Sequence, residues 1–188
     1  FKSEHTNEAI LDRIVKINVP YVLELDQEVK IYEKILARSD YDMHVAPHTF
    51  QIASMFSVMS RLKESQKCDI LTKLKIYNGE EVIEKGRVKK IDINDLRDEA
   101  RDEGMHGIST RFIMKAVDNA LAESEKNHIS PVSIMDSIMK QVKEQLIDAE
   151  FRERCLQLIQ QVVREEYLKI LEKEIAKAFV TAYEEQAQ

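Results

Sequence analysis

Glycine and proline are scarce in this chain, and that scarcity limits its fold more than any other feature. There are four glycines and three prolines in 188 residues. A β-sandwich or barrel needs a turn signal every few residues, whereas long helices need few. Two of the four glycines fall in one stretch, Gly104-Met105-His106-Gly107-Ile108-Ser109-Thr110-Arg111. That stretch separates a charged, loop-rich half from a half that reads as helix to the end. Its last residue, Arg111, puts a cation at or near the start of an amphipathic helix. The expected class is mainly α, with one or a few short strands.

Bulk properties narrow the function classes. A chain of this length can bury a good core and suits one domain or two small ones. The net charge of -6 leaves no basic footprint, which argues against nucleic acid as a partner. No apolar run approaches the ~20 residues of a membrane span, and no signal peptide is present. Cys68 and Cys155 are far apart, which suggests neither a disulfide framework nor a zinc site, so a cytoplasmic setting is the default expectation. The chain opens Phe1-Lys2-Ser3, without an initiator methionine and with an apolar residue that has no local partner. It is expected to be an excised piece of a longer protein.

Along the chain, residues 4–13 read as a short helix with Thr6 or Asn7 as N-cap. Ile14 to Val19 alternates apolar and polar residues and is β-rich, which predicts a strand ended by Pro20. One strand cannot satisfy its own backbone, so it needs a partner strand from elsewhere. Residues 24–37 predict a helix with Val29, Tyr32, Ile35 and Leu36 on its apolar face and Glu28 and Lys34 outside it. Pro47 suits the first turn of a central, wide-faced helix running to about Leu62. Residues 68–76 are consistent with helix, Asn78-Gly79 with a turn, and Val82-Ile83 with Val88 to Ile93 either with a small hairpin or with loop. Asn94 to Glu103 reads as an exposed, charge-dense helix. After Arg111, Ile113, Ala116, Val117, Ala120 and Leu121 form a helical stripe. Ser130-Pro131 predicts an N-cap followed by proline at the first helical position. A last helical region, about 150–183, carries Cys155, Leu158, Val162, Phe179 and Ala182 on its inner side. Some 33 residues would span about 50 Å as one helix, so this region must bend or project.

No complete active site is visible. His44 and His48 have a metal-ligand spacing, but Pro47 argues against a continuous helix through both, and no carboxylate completes a His-Glu-x-x-His pattern. Cys155, in an apolar stripe, reads as a core thiol rather than a nucleophile. There is no glycine-rich phosphate loop, no run ending in paired acids, and no His-Arg-Asp or Asp-Phe-Gly signature, so the phosphate cradle and magnesium ligands of an ATPase or kinase are missing. What remains is two arginines. Arg13 directly precedes the expected strand, and Arg111 starts a helix after a glycine-bearing loop. An arginine can grip phosphate bidentately and stays charged; both could equally be salt-bridge partners.

Several motifs then occur in a recognisable order: Asn-Glu-Ala-Ile-Leu-Asp-Arg at 7–13, Val-Pro-Tyr at 19–21, Glu-Val-Lys-Ile-Tyr-Glu-Lys at 28–34, Val-Ala-Pro-His-Thr at 45–49, Gly104 to Arg111, Lys-Ala-Phe-Val at 177–180 and Tyr-Glu-Glu at 183–185. The set resembles the bacterial PrkA family of serine protein kinases, which carry an AAA-type ATPase domain. The likeness spans nearly the whole chain and is weakest over 63–92.

The resemblance implies a mainly α fold: the bundle-like helical lid of an AAA-type ATPase, continuing into long C-terminal helices. Residues 1–22 would be the tail of the AAA core, 23–125 the lid, and 126–188 the start of the C-terminal helical region. Arg111 matches the lid arginine called sensor 2, which reads the γ-phosphate. Arg13 matches a position near which such proteins present an arginine to a neighbouring subunit. Relatives usually have proline where this chain has Thr110. The implied parent is a cytoplasmic, ATP- and magnesium-dependent serine protein kinase acting on a protein substrate, able to form a homo-oligomer through its AAA core. No cofactor is expected on this segment alone, and no nucleic-acid or membrane partner. An AAA-type remodelling or proteolysis-linked ATPase, or a non-catalytic helical interaction module, are the alternatives.

Overall fold

The computed structural model describes residues 13–15, 17–39, 43–84, 87–88, 91–125 and 127–186. The chain is mainly helical. In order come α1 (Leu25–Leu36), β1 (His44–Val45), α2 (Thr49–Arg61), α3 (Ile70–Tyr77), β2 (Ile83–Glu84), β3 (Arg87–Val88), α4 (Ile93–Glu99), α5 (Thr110–Ala122), β4 (His128–Ile129), α6 (Pro131–Gln145), α7 (Ala149–Gln157), a π-helical segment (Leu158–Val163) and α8 (Arg164–Gln186). The strands are two residues each. β1 pairs in parallel with β4, setting His44 opposite His128, and β2 pairs antiparallel with β3.

Local chemistry explains the helix starts. Asp69, Asp92, Ser109, Ser130 and Asp148 each accept a backbone N–H of the helix they precede, satisfying a donor that has no partner within the helix. Ser130 and Ser133 cap each other reciprocally, with Pro131 at the first helical position. α2 starts differently. His48 takes a left-handed φ of 66°, so the helix begins at Thr49 and Pro47 lies in the preceding turn rather than in the first helical turn.

α2 is the central element. From Ile52 to Arg61 every residue is buried, because α1, α3, α5, α6 and the π-helical segment all pack against it. An amphipathic stripe would not suffice at such a position, which is why Phe50, Ile52, Met55, Phe56, Val58 and Met59 wrap round the helix. The stripe Ile113, Ala116, Val117 and Ala120 of α5 and Ile134, Ile138 and Val142 of α6 complete one continuous core. Cys155, expected as a core thiol, is fully buried in it.

Several expectations are corrected. Among the described residues of 14–19, which are 14, 15 and 17–19, there is no strand: they are exposed, Val15 at 85%, because no described segment lies alongside to complete a ladder. The expected helix over 4–13 lies outside the described residues except for Arg13, which is in a turn. Glu28 is not outside the apolar face of α1 but buried in it. The charged run from Asn94 is helical only as far as Glu99, and Glu103 is buried. Phe179 is not on an inner side but 65% exposed. α8 alone, 23 residues or roughly 35 Å, outruns the core, so it projects.

Two predictions follow from the core. Burial pushes the Cys155 thiol up to about 12 from its ordinary 9.0 and raises the Tyr32 and Tyr77 hydroxyls above their ordinary 10.0. All three are neutral when protonated, so their stabilising contribution is intact below pH 9 and is lost as pH climbs from the unfolded towards the folded value. Melting temperature should fall progressively above pH 9, and Cys155→Ala, whatever its effect at pH 7, should make that fall shallower; a parallel curve would refute it. Ser54 Oγ is buried without a hydrogen-bond partner among the described residues. Ser54→Ala removes that desolvated hydroxyl and should leave stability unchanged or raise it by up to about 1 kcal/mol in urea unfolding.

Candidate functional site

The site is built where α2 ends. The last carbonyls of a helix have no partner within it and carry the negative end of its dipole. Here the last of them, Arg61 O, and the carbonyls of the two residues that follow the helix are met from three directions. Gly104 N–H donates to Arg61 O at 3.3 Å, Arg154 Nη2 donates to Leu62 O, and Lys73 Nζ donates to Lys63 O at 3.0 Å.

Arg61, the final residue of α2, has a wholly buried side chain. Its guanidinium forks onto the Glu28 carboxylate, Nη2 to Oε1 at 2.7 Å and Nη1 to Oε2 at 2.9 Å. Nη1 also donates to Val22 O and Nε to Ile108 O, both at 2.9 Å. The Tyr21 ring lies 4.8 Å from its central carbon. Glu28 is further held by Tyr32, whose hydroxyl donates to Oε1 at 2.6 Å. Each nitrogen and oxygen of this buried pair therefore has at least one hydrogen-bond partner, the condition under which a desolvated ion pair is tolerated.

The glycines of the 104–111 stretch are explained by this contact. Gly104 has φ +78° and Gly107 φ +122°, and a Cβ on Gly107 would lie 2.7 Å from Arg61 Cγ and 2.9 Å from its Cα. The loop thus runs directly over the backbone of α2. Ile108 N–H donates to Ser60 Oγ at 2.9 Å, Tyr21 N–H to Gly104 O at 2.8 Å. Ser109 then caps α5, and Arg111 is the second residue of that helix.

Arg111 is exposed and has no hydrogen bond or ion pair among the described residues. No acidic residue occupies the first turn of α5, so a cation sits at the positive end of a helix with nothing to offset it. Arg13 is also exposed, and no contact joins it to Arg111 among the described residues. His44 lies in β1, and His48 Nδ1 is 2.8 Å from Gln51 Oε1. Among the described residues no group of three His, Cys, Asp or Glu side chains could hold a metal ion, and no helix is long and apolar enough to cross a membrane.

A second buried charge centre, which sequence reasoning missed, adjoins the first. Lys73 Nζ donates to Glu103 Oε1, Tyr77 OH donates to Oε2 at 2.7 Å, and Lys63 N–H donates to Oε1 at 2.7 Å. Tyr77 and Glu103 line an open cleft of about 770 Å³ together with Tyr21, Leu23, Ile31 and Arg97. Arg111 does not line it. For Glu28 a signal was present: it is one helical turn before Tyr32, on the apolar face. For Arg61, Lys73 and Glu103 no local pattern marked burial.

These features define a mainly helical module whose exposed arginine lies in the first turn of a helix, entered from a loop fastened to the segment that leads into the first helix. The chain belongs to the PrkA serine protein kinase family: residues 71–188 match its profile described as PrkA serine protein kinase C-terminal domain, and residues 1–69 that described as PrkA AAA domain. Among curated relatives, the "ATP-dependent protease PrkA" of Bacillus subtilis (strain 168) is 38% identical over 192 residues, covering 100% of this chain and 30% of that protein. The "Serine/threonine kinase YeaG" of Escherichia coli (strain K12) is 34% identical over 194 residues, with the same shares. The chain thus spans 30% of the length of these relatives. No solved structure matches it. The two profiles abut near residue 70, yet α2 on one side packs on α6 and the π-helical segment on the other, so one core crosses the junction.

Glu28→Ala would leave the Arg61 charge buried and unpaired. It is expected to cost about 3–5 kcal/mol, read from the urea midpoint of the isolated chain; a loss below about 1 kcal/mol would mean the pair does not hold this end of α2 together.

Proposed function

We propose that this chain is the lid-bearing, nucleotide-sensing segment of an ATP-dependent serine protein kinase of the PrkA type, with Arg111 as its contact to the γ-phosphate. The observation that carries this reading is the exposed guanidinium at the start of α5, unpaired among the described residues. A planar, permanently charged fork suits a phosphate, and the free N–H groups of a helix start add to the attraction. The residues present fit one contact to a triphosphate, not its whole cradle: the phosphate loop and the magnesium ligands belong to residues outside this chain. When bound, ATP supplies the transferable phosphoryl group. The part of Arg111 is to hold and neutralise negative charge that grows as that group leaves. Arg13, exposed near the opposite end of the lead-in segment, is proposed as the arginine offered to a neighbouring subunit.

Kinase and protease names both occur among the relatives. The family description favours phosphoryl transfer, and both activities would draw on ATP. Incubating the full-length protein with γ-labelled ATP and a serine-containing protein should label serine; ATP-driven peptide cleavage without labelling would replace the kinase reading by the protease one.

Arg111→Ala in the full-length protein should lower ATP turnover roughly a hundredfold or more. Because the side chain is exposed, melting should change by no more than about 0.5 kcal/mol. Unchanged turnover together with unchanged nucleotide affinity would remove Arg111 from the mechanism.

A further inference from the structure

We infer that Arg61 is a positioning residue for Arg111: one buried guanidinium fastens the 104–108 loop to the 20–22 segment and thereby fixes where Arg111 is presented. The inference rests on the reading that Arg111 meets phosphate, and extends it to a residue that touches no nucleotide.

Arg61 grips the loop at both ends, and Ser60 joins it at the Ile108 end. Gly104 N–H ends on Arg61 O, Ile108 N–H on Ser60 Oγ, and Ile108 O on Arg61 Nε. Between them Gly107 lies so close to Arg61 that a methyl group has no room. Arg111 follows Ile108 by three residues, beginning a helix whose cap, Ser109, is the next residue after the grip. The other side of the guanidinium holds Val22 O, and Tyr21 both stacks on Arg61 and donates to Gly104 O. The segment that leads into α1 and the loop that leads into α5 therefore share one anchor. Displacement of residues 20–22 is carried to Arg111 through it, rather than absorbed by a flexible loop.

A lysine could not do this, since four hydrogen bonds to three acceptor groups in different directions need the rigid fork of an arginine. Glu28 sets that fork: its two oxygens take Nη1 and Nη2, which turns Nε towards Ile108.

A purely structural role for Arg61 predicts lower stability and no specific link to Arg111, so the test is a cycle in the full-length protein. ATP turnover is measured for the wild type, Gly107→Ala, Arg111→Ala and the double variant, well below each melting temperature. Gly107→Ala, which pushes the loop off Arg61, should lower kcat roughly tenfold to a hundredfold, with KM for ATP changing far less. In the Arg111→Ala background the same substitution should have almost no further effect. An equal fall in both backgrounds, or no fall in either, overturns the inference. An Arg111→Ala variant with full turnover overturns the sensor reading instead, and is recognised on that variant alone. Should Gly107→Ala fail to fold, Ser60→Ala, which removes the acceptor of Ile108 N–H together with the Ser60 hydroxyl's bond to Ser57 O, passes through the same cycle under the same criterion.

Discussion

The ion pair between Glu28 and Arg61 is the interaction on which the rest of this structure depends. Two opposite charges are taken out of water, a transfer that is costly unless every remaining lone pair and proton finds a partner. Here each nitrogen and oxygen of the pair has at least one partner, and the partners come from separate parts of the chain: Tyr32 on α1, Val22 before it, Ile108 far beyond it. The saturation of one pair thus dictates the course of two loops. Hydrophobic burial gathers the helices, but it is non-directional. The forked hydrogen bonds specify how the loops run over them.

The same economy governs the end of α2. A buried helix terminus presents unsatisfied carbonyls at the negative end of its dipole. Gly104 meets this demand at Arg61 O with a backbone N–H, and Arg154 and Lys73 meet the next two carbonyls, of Leu62 and Lys63, with charge. Lys73 is itself buried, which requires Glu103, and Glu103 in turn takes Tyr77 and the Lys63 amide. Each polar group is admitted to the interior because the previous one needs it.

What could be read from sequence followed from local physics. α1 and α5 were legible from apolar spacing, and α6 from spacing that agrees with the Ser130-Pro131 cap before Ile134. The glycine-bearing stretch was legible as a turn before a helix start, and the order of motifs as a likeness to the PrkA family, to which the chain belongs. Alternation at 14–19 misled, since it describes a residue pattern while a strand requires a neighbour. Charge density near Glu103 and the isolated Glu28 misled in another way. Whether an acid is buried is decided by its cation, and these lie 30 and 33 residues away. The position of Arg111 could be found from its surroundings in sequence. What fastens it could not, because Arg61 gives no sign on its own helix of the loop it will hold.

The complete enclosure of α2 has a consequence for how the protein must be made. Synthesis proceeds from the N-terminus, and of the helices that pack on α2 here only α1 comes before it. Its remaining faces wait for α3, α5, α6 and the π-helical segment, which ends at Val163, about a hundred residues later. At a translation rate of ~5–20 residues per second that interval lasts on the order of 5–20 seconds. For that time the most completely buried helix of the described residues is a nascent, half-covered surface, and its serines, Ser54, Ser57 and Ser60, are the residues that soften it.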